Sequence, residues 1–511
     1  MSQAEKSDVS LPALAPTEEL VLETPPPDLS PELDPESVVE EAEQLLREGA
    51  PHDFDVLIIG AGPGGLAAAQ HLAQSGLQIA LVEERELGGV CLNRGCIPTK
   101  TLLESIGVLR VLRRAKFFGI HLNGELTPDF AAMHQRKDEV VASLRAQTKQ
   151  MLEEAGVEII NGQARFVEAH TLEIQTESHR RRVTAVHIIV AVGGIPARLP
   201  VLGADLSGVV TSDEILEQSG IPRRLVVAGA GAVGVEFASI FAELGASVTI
   251  LEKEGAALAG EDEDIQIEMA ASLREIGVDL VVNSTIERIE NANGSLQVVF
   301  RQNNEEKSIE TDEVLLATGR AAKLENLGLE QAGIEVESGK INVDATKQTS
   351  VGGVYAIGDC IRRVGWAHQA ALEGREVADA ILGVECEIDA RFVPACYFTF
   401  PEVASVGLTL KAAHDLGIAA RAGKFSFRAN GRAATSGDQG GFVKIVIEQE
   451  TGRLLGCQII GPRATEIINE VSLALRNGAT AESLTDALHA HPTFAEVLPG
   501  AARAALSGRE T

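Results

Sequence analysis

The chain has 511 residues, 74 acidic and 44 basic, for a formal net charge of −30. So negative a protein is a poor partner for nucleic acid or an anionic membrane, and no run of about 18 apolar residues offers a membrane span. Fifty glycines fit an α/β nucleotide-binding class, and six cysteines are too few for a secreted disulfide framework.

Residues 1–50 carry thirteen Asp/Glu, two Lys/Arg and the run Pro25-Pro26-Pro27. This composition reads as an acidic, Pro-rich disordered tail over 1–53, with a short helix at 35–47, where Ser37 and Glu40 have capping-box spacing. The tail has neither the apolar core of a secretory signal nor the Arg-rich character of a transit peptide, so a cytoplasmic location is expected.

Segment 55–59 is a short apolar run suited to a buried parallel strand. Gly60-Ala61-Gly62-Pro63-Gly64-Gly65 follows, then a helix predicted over 66–74 and a strand over 77–82 that ends at Glu83. In such a βαβ unit, Gly60, Gly62 and Gly65 let the backbone approach a pyrophosphate at the helix N-terminus. Glu83, 23 residues after Gly60, can accept from ribose hydroxyls.

Next comes Gly88-Gly89-Val90-Cys91-Leu92-Asn93-Arg94-Gly95-Cys96-Ile97-Pro98-Thr99-Lys100. No second Cys/His pair completes a zinc site, so no metal is expected. Two inert buried thiols are a second reading, although so glycine-rich a stretch has little apolar material to bury them. The third is a reversible disulfide, its thiols activated by a helix start and a lysine. Cys360, Cys386, Cys396 and Cys457 are scattered and read as small core or surface residues.

The nucleotide pattern recurs. Segment 225–228 leads into Gly229, Gly231 and Gly234, then a helix predicted over 235–244 and a strand over 247–251 ending at Glu252, again 23 residues after the first glycine. Two complete fingerprints imply two dinucleotides. A carboxylate at Glu252, with no arginine beside it, favours NAD over NADP. Segments 186–194 and 313–320 are apolar strands that end in glycine, the second at Gly319. Val354 to Asp359 is another, and it delivers a carboxylate at a strand's C-terminal end. Near the C-terminus, His491 precedes Glu496 by five residues, with Pro492 between, a spacing that allows a base and its orienting carboxylate.

The cysteine stretch resembles the active-site loop of the flavin-dependent pyridine nucleotide–disulfide oxidoreductases, most nearly the branch that acts on dihydrolipoamide. The resemblance runs from about Asp53 to the C-terminus. It departs at Val90, where the family has Thr, at Val192 in an Ala-Thr-Gly motif, and at Trp366, where the family has Leu beside the flavin. It implies an α/β protein with two Rossmann-like dinucleotide-binding domains, for FAD and NAD, and a C-terminal α+β dimerisation domain. The implied bounds are 54–200 for the first part of the FAD domain, 201–323 for the NAD domain, 324–390 for the returning FAD/central part and 391–511 for the interface domain.

The resemblance also implies roles. Cys91 is the interchange thiol, Cys96 the thiol facing the flavin, and Lys100 lies at the flavin edge, paired with Glu236. Gly60, Gly62, Gly65, Glu83, Lys100, Asp359 and Ala367 serve FAD; Gly229, Gly231, Gly234, Glu252 and Gly319 serve NAD. His491, oriented by Glu496, is the base and reaches the disulfide across the interface of a homodimer. The implied partner is the lipoyl domain of a 2-oxoacid dehydrogenase or related complex. Glutathione reductase is the nearest rival, but it needs a serine and an arginine where this chain has Pro63 and Gln70. A non-catalytic flavoprotein module is a further alternative.

Overall fold

The computed structural model describes residues 52–292, 294–362, 365–384 and 390–508. The acidic tail through residue 51, with its predicted helix, and Cys386 lie outside the described residues.

The first sheet is built around strand β1 (Phe54–Ile59), which passes through the first glycine motif into helix α1 (Pro63–Leu72) and returns as β2 (Ile79–Glu83). The redox stretch forms two helices, α2 (Gly89–Arg94) and α3 (Cys96–Arg113), hinged at Gly95. A long helix, α4 (Phe130–Glu154), crosses back, and β3 (Arg180–Val190) enters beside β1. β1 pairs in parallel with both β2 and β3, and its last four residues are buried. The first half of β3 pairs antiparallel with Thr171–Gln175.

The second sheet repeats the plan. β4 (Arg224–Ala228) leads through the second glycine motif into α5 (Ala232–Glu243), then β5 (Ser247–Leu251) and helix α6 (Glu263–Glu275). β6 (Glu313–Leu316) closes a five-stranded parallel sheet by pairing with β4. An antiparallel three-stranded sheet over Ser284–Ala292, Ser295–Gln302 and Glu305–Thr311 lies between β5 and β6 in sequence. The chain enters and leaves this unit through one ribbon, Gly194–Pro196 paired antiparallel with Arg320–Ala322. It then returns to the first sheet as β7 (Val354–Ala356), parallel to β3, and as helix α7 (Ala367–Ile381).

Residues from 395 onward form a five-stranded antiparallel sheet covered by α8 (Ala464–Arg476) and α9 (Val497–Ser507). One apolar core joins α3 and α4 to the second unit and this C-terminal sheet, with Leu103, Phe130, Phe237, Phe241, Tyr397 and Phe442 among its members. This is the expected fold class: two Rossmann-like units, one inserted in the other, and a C-terminal α+β domain.

α1 and α5 each begin three residues before the starts predicted from sequence. Glycine lowers helix propensity, yet Gly64, Gly65 and Gly234 lie inside these helices because packing demands a missing side chain there. A Cβ on Gly65 would stand 2.0 Å from the Gly60 carbonyl oxygen, and one on Gly234 would stand 1.9 Å from that of Gly229.

Candidate active site between two dinucleotide cradles

The two glycine motifs open at the C-terminal ends of β1 and β4, where ligands of parallel α/β sheets bind. They line one continuous cavity of about 920 Å³. The helix N-termini at Gly62 and Gly231 carry no side-chain cap, and a Cβ at either glycine would meet nothing within 4 Å. Uncapped amides therefore face open space, the arrangement that receives a pyrophosphate. Gly60, Gly62, Gly229, Gly231 and Gly319 line the cavity. Gly65 and Gly234, expected among the cofactor glycines, do not; they hold helix against strand by the close approaches above.

The two acids are fixed alike. Glu83 accepts from the amides of Ala61 (2.8 Å) and Arg85 (2.9 Å). Glu252 accepts from the amides of Ala230 (2.5 Å) and Glu254 (2.8 Å). Each carboxylate is thus bound to the middle of its own glycine motif and to the amide two residues on. This double anchorage presents the remaining lone pairs to the cavity, the requirement for accepting from a ribose.

The redox helices lie directly on the first cradle. The Gly88 amide donates to the Ala61 carbonyl at 2.8 Å, and a Cβ on Gly89 would be 2.7 Å from the Gly62 Cα. Buried Asn93 holds the turn by donating to the carbonyls of Leu87 (3.0 Å) and Gly89 (2.8 Å), and Arg145 of α4 donates to its side-chain oxygen at 3.0 Å. Cys91 and Cys96 are free thiols, both line the cavity, and they are hydrogen-bonded to each other. Cys96 starts α3, where the helix dipole favours negative charge. The hydrogen bond from Cys91, opposed by burial and aided by Lys100, brings Cys96 down to about 7. That same hydrogen bond, with burial, pushes Cys91 far up. One sulfur is prepared as a thiolate and the other as a thiol.

One turn along α3, Lys100 donates to both oxygens of buried Glu236 on α5, at 2.9 and 2.7 Å. The Phe398 amide of the C-terminal domain donates to the same carboxylate at 2.9 Å, and the Lys100 ammonium sits 4.7 Å from the Phe398 ring centre. Three parts of the fold therefore meet on one carboxylate. Asp359 and Ala367 reach the cavity from the returning segment. Burial pushes the Asp359 carboxyl up, against the pull of Arg320 and Arg362. Trp366, the chain's only tryptophan, also lines the cavity, packed edge-on against Tyr397 at 5.5 Å.

His491 and Glu496 are paired but elsewhere. His491 Nδ1 lies 2.8 Å from a Glu496 oxygen, and the Thr493 amide donates to the other oxygen at 2.8 Å. The imidazole is 77% exposed and does not line the cavity of its own chain. Its hydrogen bond holds the Glu496 carboxyl below the usual range.

Sequence reading missed Phe398, Asn93 and Arg320. Arg320 donates to the Gly194 carbonyl across the crossing ribbon and lies 3.5 Å from Asp359. It directly follows Gly319, and that glycine, just beyond β6, was the one available signal for it. Phe398 acts through its backbone, which leaves no trace in residue type. Among the described residues no cluster of His, Cys, Asp and Glu could hold a metal, and no helix is long and apolar enough to cross a membrane.

A thiol pair in a cavity shared by two dinucleotide cradles defines a two-dinucleotide thiol oxidoreductase. Residues 54–374 match the pyridine nucleotide-disulphide oxidoreductase family and residues 393–502 its dimerisation domain, and the chain belongs to this family, whose cofactors are FAD and NAD(H). It is 38% identical to a dihydrolipoyl dehydrogenase of Chlamydia muridarum over 87% of this chain and 95% of that one. It is also 38% identical to a dihydrolipoyl dehydrogenase of Geobacillus stearothermophilus, over 89% and 96%. Among solved structures it resembles LpdA from Mycobacterium tuberculosis, with TM-score 0.82, 29% identity and coverage of 88% and 98%. It also resembles the HOCl-induced flavoprotein disulfide reductase RclA from Escherichia coli, with TM-score 0.78, 30% identity and coverage of 88% and 99%.

Proposed function

We propose that the chain is a dihydrolipoyl dehydrogenase, which reoxidises dihydrolipoamide at the Cys91–Cys96 pair and delivers the electrons to NAD+. The observation that carries this reading is the polarised thiol pair in a cavity walled by two acid-anchored glycine motifs. In this reading 54–200 and 324–390 hold FAD, through Gly60, Gly62, Glu83, Lys100, Asp359 and Ala367. Residues 201–323 hold NAD, through Gly229, Gly231, Glu252 and Gly319. Gly65 and Gly234 support them from behind, and 391–511 form the dimer.

Catalysis begins at His491 of one protomer, acting on the cavity of its partner. With Nδ1–H donated to Glu496, Nε2 is the accepting atom and removes a proton from a dihydrolipoamide thiol. The resulting thiolate attacks the Cys91 sulfur of the disulfide, and Cys96 leaves as the thiolate its environment favours. The second substrate thiol displaces Cys91 and closes the oxidised lipoyl ring, its proton passing to the departing sulfur. Cys91 takes up a proton, as its raised affinity for one requires. Bound FAD and NAD+ supply the hydride chemistry that removes the two electrons and restores the disulfide. Lys100 and Glu236 hold the edge of that site as a fixed ion pair.

The substrate is carried by the lipoyl domain of a 2-oxoacid dehydrogenase or related complex, in the cytoplasm, where a disulfide is catalytic rather than structural. The test is one panel of purified protein with NAD(H) and NADP(H) against lipoamide and glutathione disulfide. Lipoamide turnover with NAD favoured at least about tenfold over NADP in kcat/KM is expected, because Glu252 repels a 2′-phosphate and loses its hydroxyl partner. Cys91→Ser and Cys96→Ser are expected to abolish that turnover and keep FAD bound. Preference for glutathione disulfide, or near-normal lipoamide turnover in either mutant, would overturn the reading.

A further inference from the structure

Glu236 is not the only acid of α5 that reaches α3. Two turns on, at the last residue of α5, Glu243 is buried, and its side chain is 8% exposed. Arg110 and Arg113, both in the last turn of α3, donate to its two carboxylate oxygens, Arg113 at 2.5 Å. Arg113 also donates to the Glu243 backbone carbonyl at 2.8 Å. A carboxylate at a helix C-terminus faces the negative end of the dipole, and burial adds to the cost. The site is tolerable only because two guanidinium groups neutralise it. The Arg110 guanidinium in turn lies 4.9 Å from the ring centre of Phe400, two residues beyond the Phe398 amide that binds Glu236.

The two helices are thus clamped at both ends. Lys100 meets Glu236 near their N-termini, and Arg110 and Arg113 meet Glu243 near their C-termini. Residues seven apart lie on one helix face, about 10 Å along the axis, so fixing Glu243 fixes the azimuth and height of Glu236. We infer that Glu243 is a positioning residue: with Arg110 and Arg113 it sets the register of the NAD-domain helix on the redox helix, and so holds Glu236 on Lys100 and on the Phe398 amide. The inference rests on the proposed role of Lys100 and Glu236 at the flavin edge. It requires the family's NADH–FAD exchange, and no particular disulfide substrate.

The test uses the FAD-loaded dimer and two readouts. Hydrogen exchange at the Phe398 amide reports on Glu236 directly, far from the substituted carboxylate. Stopped-flow reduction of the flavin by saturating NADH reports on register without involving lipoamide. Glu243→Gln is expected to lower Phe398 amide protection about tenfold and to slow flavin reduction about tenfold, while the melting temperature stays within a few degrees of wild type. Arg113→Lys, which keeps a charge and loses the two-point grip, is expected to give about a threefold change in both. If Glu243→Gln does not fold, Arg113→Lys carries the same two measurements. Both readouts within twofold of wild type, or only one of them moving, overturns the inference. Loss of lipoamide activity in the wild type would overturn the proposed substrate and leave this test intact.

Discussion

Cys91 and Cys96 face the same cavity and the same lysine, yet their environments separate them. The thiol at the helix start, receiving its neighbour's proton, falls to about 7 from an ordinary value of 9.0. For an acid whose folded value is lowered, the stabilising contribution is complete above the unfolded value and is lost as pH falls through the folded one. Cys96 therefore adds stability to the reduced protein progressively between about pH 7 and pH 9. Cys91 is shifted the opposite way and subtracts stability only above its own ordinary value of 9.0. In reduced, FAD-free protein, thiolate absorbance is expected to show a step centred near pH 7 that disappears in Cys96→Ser. The melting-temperature gap between wild type and Cys96→Ser should widen from pH 7 to pH 9. A single step near 9 would show that the thiols are not polarised.

The recurring unit is a strand, a glycine turn and a helix whose first turn is pressed onto that glycine turn. The fit is so close that one methyl group would decide it. Gly65→Ala and Gly234→Ala each place a Cβ within about 2 Å of a carbonyl oxygen, an overpacking expected to cost about 1–3 kcal/mol by displacing α1 or α5. The two consequences separate by unit. Gly65→Ala protein is expected to purify with little FAD. Gly234→Ala protein should keep its flavin and lose NADH-driven flavin reduction. Equal loss of flavin in both would mean the two units are not independent.

Much of this level was legible in sequence, because each βαβ unit is local. The 23-residue spacing from first glycine to acid located Glu83 and Glu252, and β5 and β6 fall where the apolar runs stand. The helix starts were not legible: propensity assigns a glycine run to a loop, while the packing that overrides it involves atoms of a preceding turn. The redox stretch showed its cysteines and not that Gly95 divides two helices. Of the contacts between units, the Lys100–Glu236 pair was reached through the family resemblance, and the others left no trace. Glu243 meets Arg110 across 133 residues, and nothing in the spacing of either singles it out.

At the scale of the whole molecule the proposed base stands apart from the thiols. The thiols lie in the cavity, whereas His491, carried on the C-terminal domain, is exposed to solvent. If it acts on a second copy, mixing Cys91→Ser and His491→Gln chains, each expected to be inactive alone, is decisive. One site of a mixed dimer then carries both substitutions and the other neither. Activity is expected to return toward half of wild type per mixed dimer once subunits exchange. Confirmed exchange with no recovery would place the base within its own subunit or remove it from the mechanism.

The crossing ribbon of Gly194–Pro196 against Arg320–Ala322 has a consequence for how the chain is born. Synthesis runs from the N-terminus, so the first sheet emerges without β7, and α1 emerges without α7, whose Gly374 would put a Cβ 2.2 Å from the Gly64 carbonyl oxygen. The inserted unit has all five strands of its sheet between residues 209 and 316, and only the outer side of α5 still waits for the C-terminal sheet that shares its core. The second domain in sequence is therefore the first able to complete its sheet on the ribosome. The thiol pair, made early, lies in a cleft that gains the Gly358 and Asp359 part of its wall only in the last third of translation.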